Sequence, residues 1–433
     1  MQDSGYHSCA LSNGLKLHVL ERRELPIVVL MVLYSVGSSH ETPAQYGMAH
    51  FLEHMMFKGS EQFPLGSIDL FSHRSGGENN AFTSRDFTVY YHVLPARHWK
   101  SALEIEIDRM CSLQLEEAEY ESEKRVVLEE LSMYEDDPQE ALYDFHYSKA
   151  FSKAHPYHHP IIGTRDVLLA QDLKMMEEFY RSNYRVDNAS LLLLGDLNAS
   201  LATRAIQKMF EGVSASEAPL SSLTPAAEAP GIGDNEVHVV EQDVDLVRIS
   251  MSLPSHRSGD CWEAPSAIFE ELVSGGRTSR FVKTLREEMN LVQNVSIYSD
   301  SHALGGRQIL EADLCGDQDP LKCLKAFVNE VSRLHREPIS KKELDQGRIR
   351  ALVSHSYDQE RLENLGFSLT QWISVDQPQG YFHFPEALER VDLATMNDYV
   401  GRFFLPENAT LGISCPRGEG LKFRNLKLGE LFS

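Results

Sequence analysis

The segment Ala49-His50-Phe51-Leu52-Glu53-His54-Met55 brings two imidazoles and a carboxylate together in a short stretch of chain. On a helix, residues four apart project from one face, so His50 and His54 can reach a single ion with Glu53 beside them. A catalytic zinc site needs three protein ligands and a water, with a carboxylate nearby to manage protons. The flanking residues read as helix: Thr42-Pro43-Ala44-Gln45 has the pattern of a capping box with proline at the first helical position, and Gly59 offers a stop. Lys58, just past the motif, reads as an answer to the helix dipole.

The third ligand must come from elsewhere in the chain. From Glu119 to Tyr134 the sequence predicts a helix in which Val127, Glu130, Leu131 and Tyr134 fall at i, i+3, i+4 and i+7. Glu130 thus lies in an apolar stripe, where a carboxylate needs a compensating charge, and is the expected ligand. Glu123 stands two turns earlier on the same face. There it either orients a ligand or the ion's water, or makes an ordinary surface ion pair with Lys124 or Arg125. His155, His158 and His159 crowd a proline-containing loop with no carboxylate or cysteine at ligand spacing, and read as solvated.

A chain of 433 residues exceeds the size at which one hydrophobic core keeps growing, so two domains are expected. Strand-like runs at Leu15 to Leu20, Pro26 to Val36, Phe87 to Leu94 and Ala189 to Leu194 alternate with helical patterns. The latter run from His98 to Leu115, Glu116 to Asp136, Asp166 to Tyr184 and Ser200 to Phe210. Composition then shifts to Ser, Ala, Pro and Gly, which marks residues 213–236 as a linker between a domain at 1–212 and another at 237–433. Similar elements recur after it: strands at Val237 to Gln242 and Val247 to Leu253, and a helix near Pro265 to Val273. Laid on the motif, Ala267 to Leu272 matches Phe and Glu but places apolar residues at both histidine positions. The fold class expected is α+β, with two similar units of mostly antiparallel sheet packed with helices, one of them metal-binding.

A formal charge of −23, from 41 basic and 64 acidic residues, disfavours nucleic acid and anionic membrane as partners. The six cysteines (Cys9, Cys111, Cys261, Cys315, Cys323, Cys415) form no C-x-x-C pair and read as buried thiols of a reducing compartment. No secretory leader or membrane-spanning apolar run is visible, so the expected location is cytoplasmic, or periplasmic or organellar had a leader been removed. The longest apolar run, Leu25 to Val36, suits a buried strand.

With these residues in hand, the chain resembles the pitrilysin-type inverzincins, a family that includes insulin-degrading enzyme, mitochondrial processing peptidase and half-size bacterial relatives. The motif is H-x-x-E-H, followed 76 residues after its last histidine by a glutamate, which is Glu130 here. Further segments match in order: Gly14 to Val19, Gly37 to Glu41, Phe57 to Ser60, Gly76 to Thr83, His155 to Gly163 and Asn188 to Asp196. The resemblance implies zinc as cofactor, held by His50, His54 and Glu130, with Glu53 as general base and Glu123 as an additional family glutamate. It implies an endopeptidase that takes peptides or unfolded segments as an added strand inside a closable chamber. Asn80, Ala81, Phe82 and Thr83 are then the candidate docking edge, although Asn80 equally suits a turn after Gly76-Gly77. In the second half, Gly275 to Phe281 and Leu285 to Glu288 are similar to the family's carboxy-domain signature, in which an arginine and a tyrosine seven residues on grip substrate. Arg286 fits, either for substrate or on a solvated face, but Gln293 occupies the tyrosine position. The resemblance therefore implies a dimer, preferentially with a homologous subunit that lacks the zinc motif and supplies the arginine and tyrosine. The competing class is a non-catalytic structural or peptide-binding subunit; such a scaffold is expected to lose ligands, and none is missing here.

Overall fold

The computed structural model describes residues 5–216, 237–316 and 318–432. They form two compact units. One comprises the described residues of Met1–Leu131, Pro160–Thr224 and Asp358–Pro378, the other those of Ser132–His159, Pro225–Tyr357 and Gln379–Ser433. The linker expected at 213–236 lies, from residue 217 onward, outside the described residues.

The first unit is built on strands β1 (Tyr6–Ala10), β2 (Lys16–Glu21), β3 (Ile27–Tyr34), β4 (Glu78–Thr83), β5 (Thr88–Pro95) and β6 (Ala189–Gly195), in the order β1-β2-β6-β3-β5-β4. Only β2 and β6 run parallel; every other neighbouring pair is antiparallel. The second unit has β7 (His238–Gln242), β8 (Arg248–Ser255), β9 (Val292–His302), β10 (Gly305–Leu314) and β11 (Thr410–Pro416), in the order β7-β11-β8-β10-β9. Here β7 and β11 form the parallel pair. With β1 set aside, both sheets read first, last, second, fourth, third strand. The duplicated α+β unit expected from the sequence is therefore present at the level of topology. In each unit the helix after the second strand, Met48–Met55 or Glu263–Ser274, is the one carrying the aligned segment.

Burial explains the strand pattern. β3 and β6 lose alternation because nearly every residue in them is buried, which is why Leu25 to Val36 reads as one apolar run. Part of that cover comes from far along the chain. The helix Leu362–Ser374 packs on β3 and β6 with Leu365, Leu369 and Ile373 buried, Thr370 Oγ1 reaching Met31 Sδ at 3.5 Å, and Asp376 paired with Lys16 at 2.9 Å. The helix Pro138–Ala150 packs instead on β11, in the second unit.

Several expectations are corrected. The helical run Asp166 to Tyr184 is two helices, Arg165–Ala170 and Leu173–Asn183, because Asp172 caps the second by accepting the Met175 amide at 2.9 Å. The Pro138–Ala150 helix lies outside the expected elements, although Asp137 and Pro138 are its N-cap and first-turn proline. Cys9, Cys111 and Cys261 are exposed rather than buried, and the six cysteines form no disulfide. His155 and His159 are buried, not solvated: His155 packs against the Phe151 and Tyr157 rings, with centroids 4.4 and 5.0 Å apart. Among the described residues no helix is long and apolar enough to cross a membrane.

The borrowed cover has a consequence. Residues 1–216 made alone should expose the β3–β6 face that Leu365, Leu369 and Ile373 bury, and should bind a hydrophobic dye and aggregate. Co-expression with residues 237–433 should restore a folded species by size exclusion. A monodisperse, cooperatively melting 1–216 fragment would show that the helix is dispensable.

Candidate metal centre

The motif helix starts later than its sequence indicates. Thr42 to Gln45 form a local turn, with the Gln45 amide on the Thr42 carbonyl at 2.7 Å and Thr42 Oγ1 on Gln45 Oε1 at 2.9 Å. The helix runs Met48–Met55, behind Gly47 in the left-handed region at φ 90°. Its cap is Glu41, whose buried carboxylate accepts the amides of Gly47 at 2.9 Å and Ala49 at 2.7 Å. Gly47 backs onto Gly163: a Cβ on Gly163 would come within 2.4 Å of the Tyr46 carbonyl oxygen, so no side chain fits. Glu41 was legible only as a family landmark, because Pro43 pulled the expected boundary past it.

Met48, Ala49, Phe51, Leu52 and Met55 bury one side of this short helix, leaving His50, Glu53 and His54 to share the other. The imidazole centroids are 4.8 Å apart. Phe51 stacks on Tyr120 of the ligand helix, Glu117–Asp136, at 4.9 Å. That contact brings Glu130 to the histidines: Oε1 lies 3.6 Å from His50 Nε2 and Oε2 3.2 Å from His54 Nε2. One ligand atom from each of the three lies within 4.8 Å of the others. Ligand atoms about 2.05 Å from a zinc ion at tetrahedral angles are separated by about 3.3 Å, so both Glu130 distances fit. Two imidazole nitrogens and a carboxylate oxygen are also a hydrolytic zinc donor set.

Of the partners expected for Glu123, the structure shows His54 and not Lys124 or Arg125. His54 Nδ1 donates to Glu123 Oε1 at 2.9 Å, which directs Nε2 toward Glu130. The other carboxylate oxygen pairs closely with Lys58, so Lys58 serves Glu123 rather than only the helix dipole. Lys124, offered as an alternative partner, turns elsewhere and donates to backbone carbonyls.

Charge separates the two imidazoles. Burial and the neighbouring His54 push His50 down to about 4 against the opposing pull of Glu130, and its Nδ1 is buried without a partner among the described residues. Burial also pulls on His54, but the hydrogen bonds to Glu123 and Glu130 outweigh it and lift the group to about 9. Glu130 is held low by its hydrogen bond to His54 and the charges of both histidines. Glu53 is raised by burial, which makes it a stronger base than an exposed carboxylate, while Thr83 Oγ1 donates to its Oε2 at 2.5 Å.

Thr83 ends β4, the edge strand, so the expected docking segment does reach the site. Alternation turns its side chains to opposite faces. Phe82 packs on Phe87 and Phe367, with centroids 6.0 and 5.7 Å away, and Asn80 Oδ1 accepts the Ala81 amide at 2.8 Å. Arg286 belongs to the second unit, on the helix Val282–Glu288, where it pairs with Glu287 at 3.0 Å; Gln293 is exposed at the start of β9.

Residues 19–165 match the insulinase profile of peptidase family M16, and residues 172–350 match the M16 inactive domain. An uncharacterized zinc protease of Bacillus subtilis is 27% identical over 341 residues, spanning 78% of this chain and 80% of its own. The zinc protease PqqE of Helicobacter pylori is 27% identical over 356 residues, spanning 79% and 78%. Among solved structures, a protease from Helicobacter pylori has a TM-score of 0.87 at 23% identity, covering 95% of this chain and 99% of that one. The periplasmic protease PqqL from Escherichia coli has a TM-score of 0.82 at 18% identity, covering 100% of this chain but 50% of its own. In fold and in sequence profile alike, the chain belongs to peptidase family M16, the insulinase family.

Proposed function

We propose that this chain is the zinc-bearing subunit of an endopeptidase, with His50, His54 and Glu130 as ligands and Glu53 as general base. The observation that carries the reading is the convergence of His50 Nε2, His54 Nε2 and the Glu130 carboxylate, with His54 oriented by Glu123 and Glu53 on the same helix face. Zinc bound there supplies Lewis acidity, polarising a peptide carbonyl and acidifying water. Glu53 takes the proton of the attacking water and delivers it to the departing amine; its burial strengthens it for the first task, and Thr83 fixes its orientation.

Because Thr83 lies on β4, one hydrogen bond registers the base to the sheet edge where an extended peptide would add. The corresponding edge of the second unit is closed. On β9 the Ser299 amide is bound by Glu270 Oε1 at 2.8 Å and the Ile297 amide by Ser274 Oγ at 3.2 Å. This favours β4 as the docking strand, with backbone recognition through Asn80 to Thr83 once the Ala81 amide is released from Asn80 Oδ1. Gln293 in place of a tyrosine leaves the chain with Arg286 alone, which supports a heterodimer whose other subunit supplies the missing pair.

Glu53→Gln should retain zinc and its affinity while the cleavage rate falls by ~10²–10⁴-fold. His54→Ala should lose both metal and cleavage. Metal analysis beside a quenched-peptide assay separates the two variants, and full turnover by Glu53→Gln would remove Glu53 as the base. The purified chain alone should bind about one zinc yet turn over slowly, with activity recovered when a motif-less homologous subunit is added. Rapid turnover by a preparation shown to hold no second chain would overturn the need for that partner.

A further inference from the structure

Lys124 follows Glu123 on the ligand helix but points into the protein. The residue is 9% exposed, and its ammonium donates to the carbonyls of Leu169 at 3.1 Å and Gln171 at 2.7 Å. Burying an ammonium is costly without compensation, and the hydrogen-bond partners of this one are backbone carbonyls. Compensation comes from the C-terminal end of the helix Arg165–Ala170, where last-turn carbonyls lack helical partners and the dipole is negative. The Tyr120 ring, 5.6 Å from Nζ, adds a cation–π contact.

The contact continues through Gln171. Its side chain is buried, and Nε2 donates at 3.1 Å to the carbonyl of Tyr46, the residue before Gly47 at the head of the motif helix. Two adjacent residues of the ligand helix therefore hold the motif helix at both ends. Glu123 grips His54 and Lys58 at its C-terminal end, while Lys124, through Gln171, grips Tyr46 at its N-terminal end. Phe51 and Tyr120 stack between the two grips.

We propose that Lys124 is a positioning residue: with Gln171 it sets where the ligand helix lies along the motif helix, and so places Glu130 against His50 and His54. The inference rests on the metal reading above, although Lys124 touches neither ligand nor substrate. Glu130 stands seven residues beyond Glu123, and its side chain is 45% exposed, so its placement depends on the helix that carries it. A slide of one residue moves it by ~1.5 Å along the axis. That is enough to carry its carboxylate out of range of one imidazole at the 3.2 and 3.6 Å separations seen.

The test uses full-length protein, zinc itself as probe, and Lys124→Met, which keeps the apolar stem and removes the donors. Competition with a chromophoric chelator should give a zinc Kd raised ~10–100-fold, with a changed visible spectrum when cobalt replaces zinc. The thermal midpoint of the metal-stripped protein is measured alongside. A purely structural lysine would lower that midpoint and leave the Kd of the folded protein alone, which would overturn the proposal. Should Lys124→Met fail to fold, Gln171→Met breaks the same path one step later and should raise the Kd in the same direction; an unchanged Kd there also overturns it. If the unmodified chain binds no zinc, or binds it equally well as His54→Ala, the metal reading itself fails and this inference fails with it.

Discussion

The hydrogen bond from His54 Nδ1 to Glu123 Oε1 is the interaction on which the site depends. An imidazole offers a lone pair at one nitrogen only when its proton is held at the other. Glu123 does the holding, and Lys58 keeps Glu123 charged and in place. Without that carboxylate, His54 would have Glu130 as its remaining partner, and proton sharing between those two would compete with metal ligation. His50 has no such carboxylate on its Nδ1, and burial together with the neighbouring His54 keeps it neutral. The site thus pairs one imidazole made neutral by its surroundings with one whose tautomer is imposed.

The second unit shows what the same topology does without these residues. The helix Glu263–Ser274 follows β8 as the motif helix follows β3, yet Ile268 and Leu272, aligned with His50 and His54, are buried in its apolar core. Its polar residues face the edge strand, where Glu270 and Ser274 occupy the outward amides of β9. Glu270 is raised by burial and further satisfied by Ser266 and Gln308. A sheet edge must be paired, covered or charged. One unit covers its edge with its own helix, whereas the other turns that helix toward the proposed metal site and leaves the edge strand beside it.

Legibility of the sequence followed the range of the interactions involved. His50, Glu53 and His54 could be read because i, i+4 geometry is local, and Glu130 because a carboxylate in an apolar stripe is anomalous wherever it points. The duplicated α+β order survived because buried and half-buried strands carry different patterns. The start of the motif helix was misread because Thr42 and Gln45 do make capping-box contacts, but around a turn closed before the helix begins. Exposure of Cys9, Cys111 and Cys261 and burial of His155 and His159 depend on packing between distant segments, which spacing does not encode. For the same reason nothing in residues 362–374 announces that they cover the sheet begun at residue 6.

Electrostatics gives the strongest physical reason for a divalent ion at this site. The groups around the two imidazoles are three carboxylates, Glu53, Glu123 and Glu130, and one ammonium, Lys58, which leaves an excess of two negative charges in a partly buried pocket. Carboxylates crowded in this way repel one another unless a cation stands among them. The carboxylates Glu123 and Glu130, through their hydrogen bonds, lift His54 to about 9, so a proton there offsets part of that excess. A proton on His54 meets half of the excess and uses up a ligand lone pair. A doubly charged ion between Nε2 and Glu130 meets all of it and leaves both imidazoles neutral. The crowding of acids that is costly without a cation is therefore what a divalent ion at the proposed site would offset.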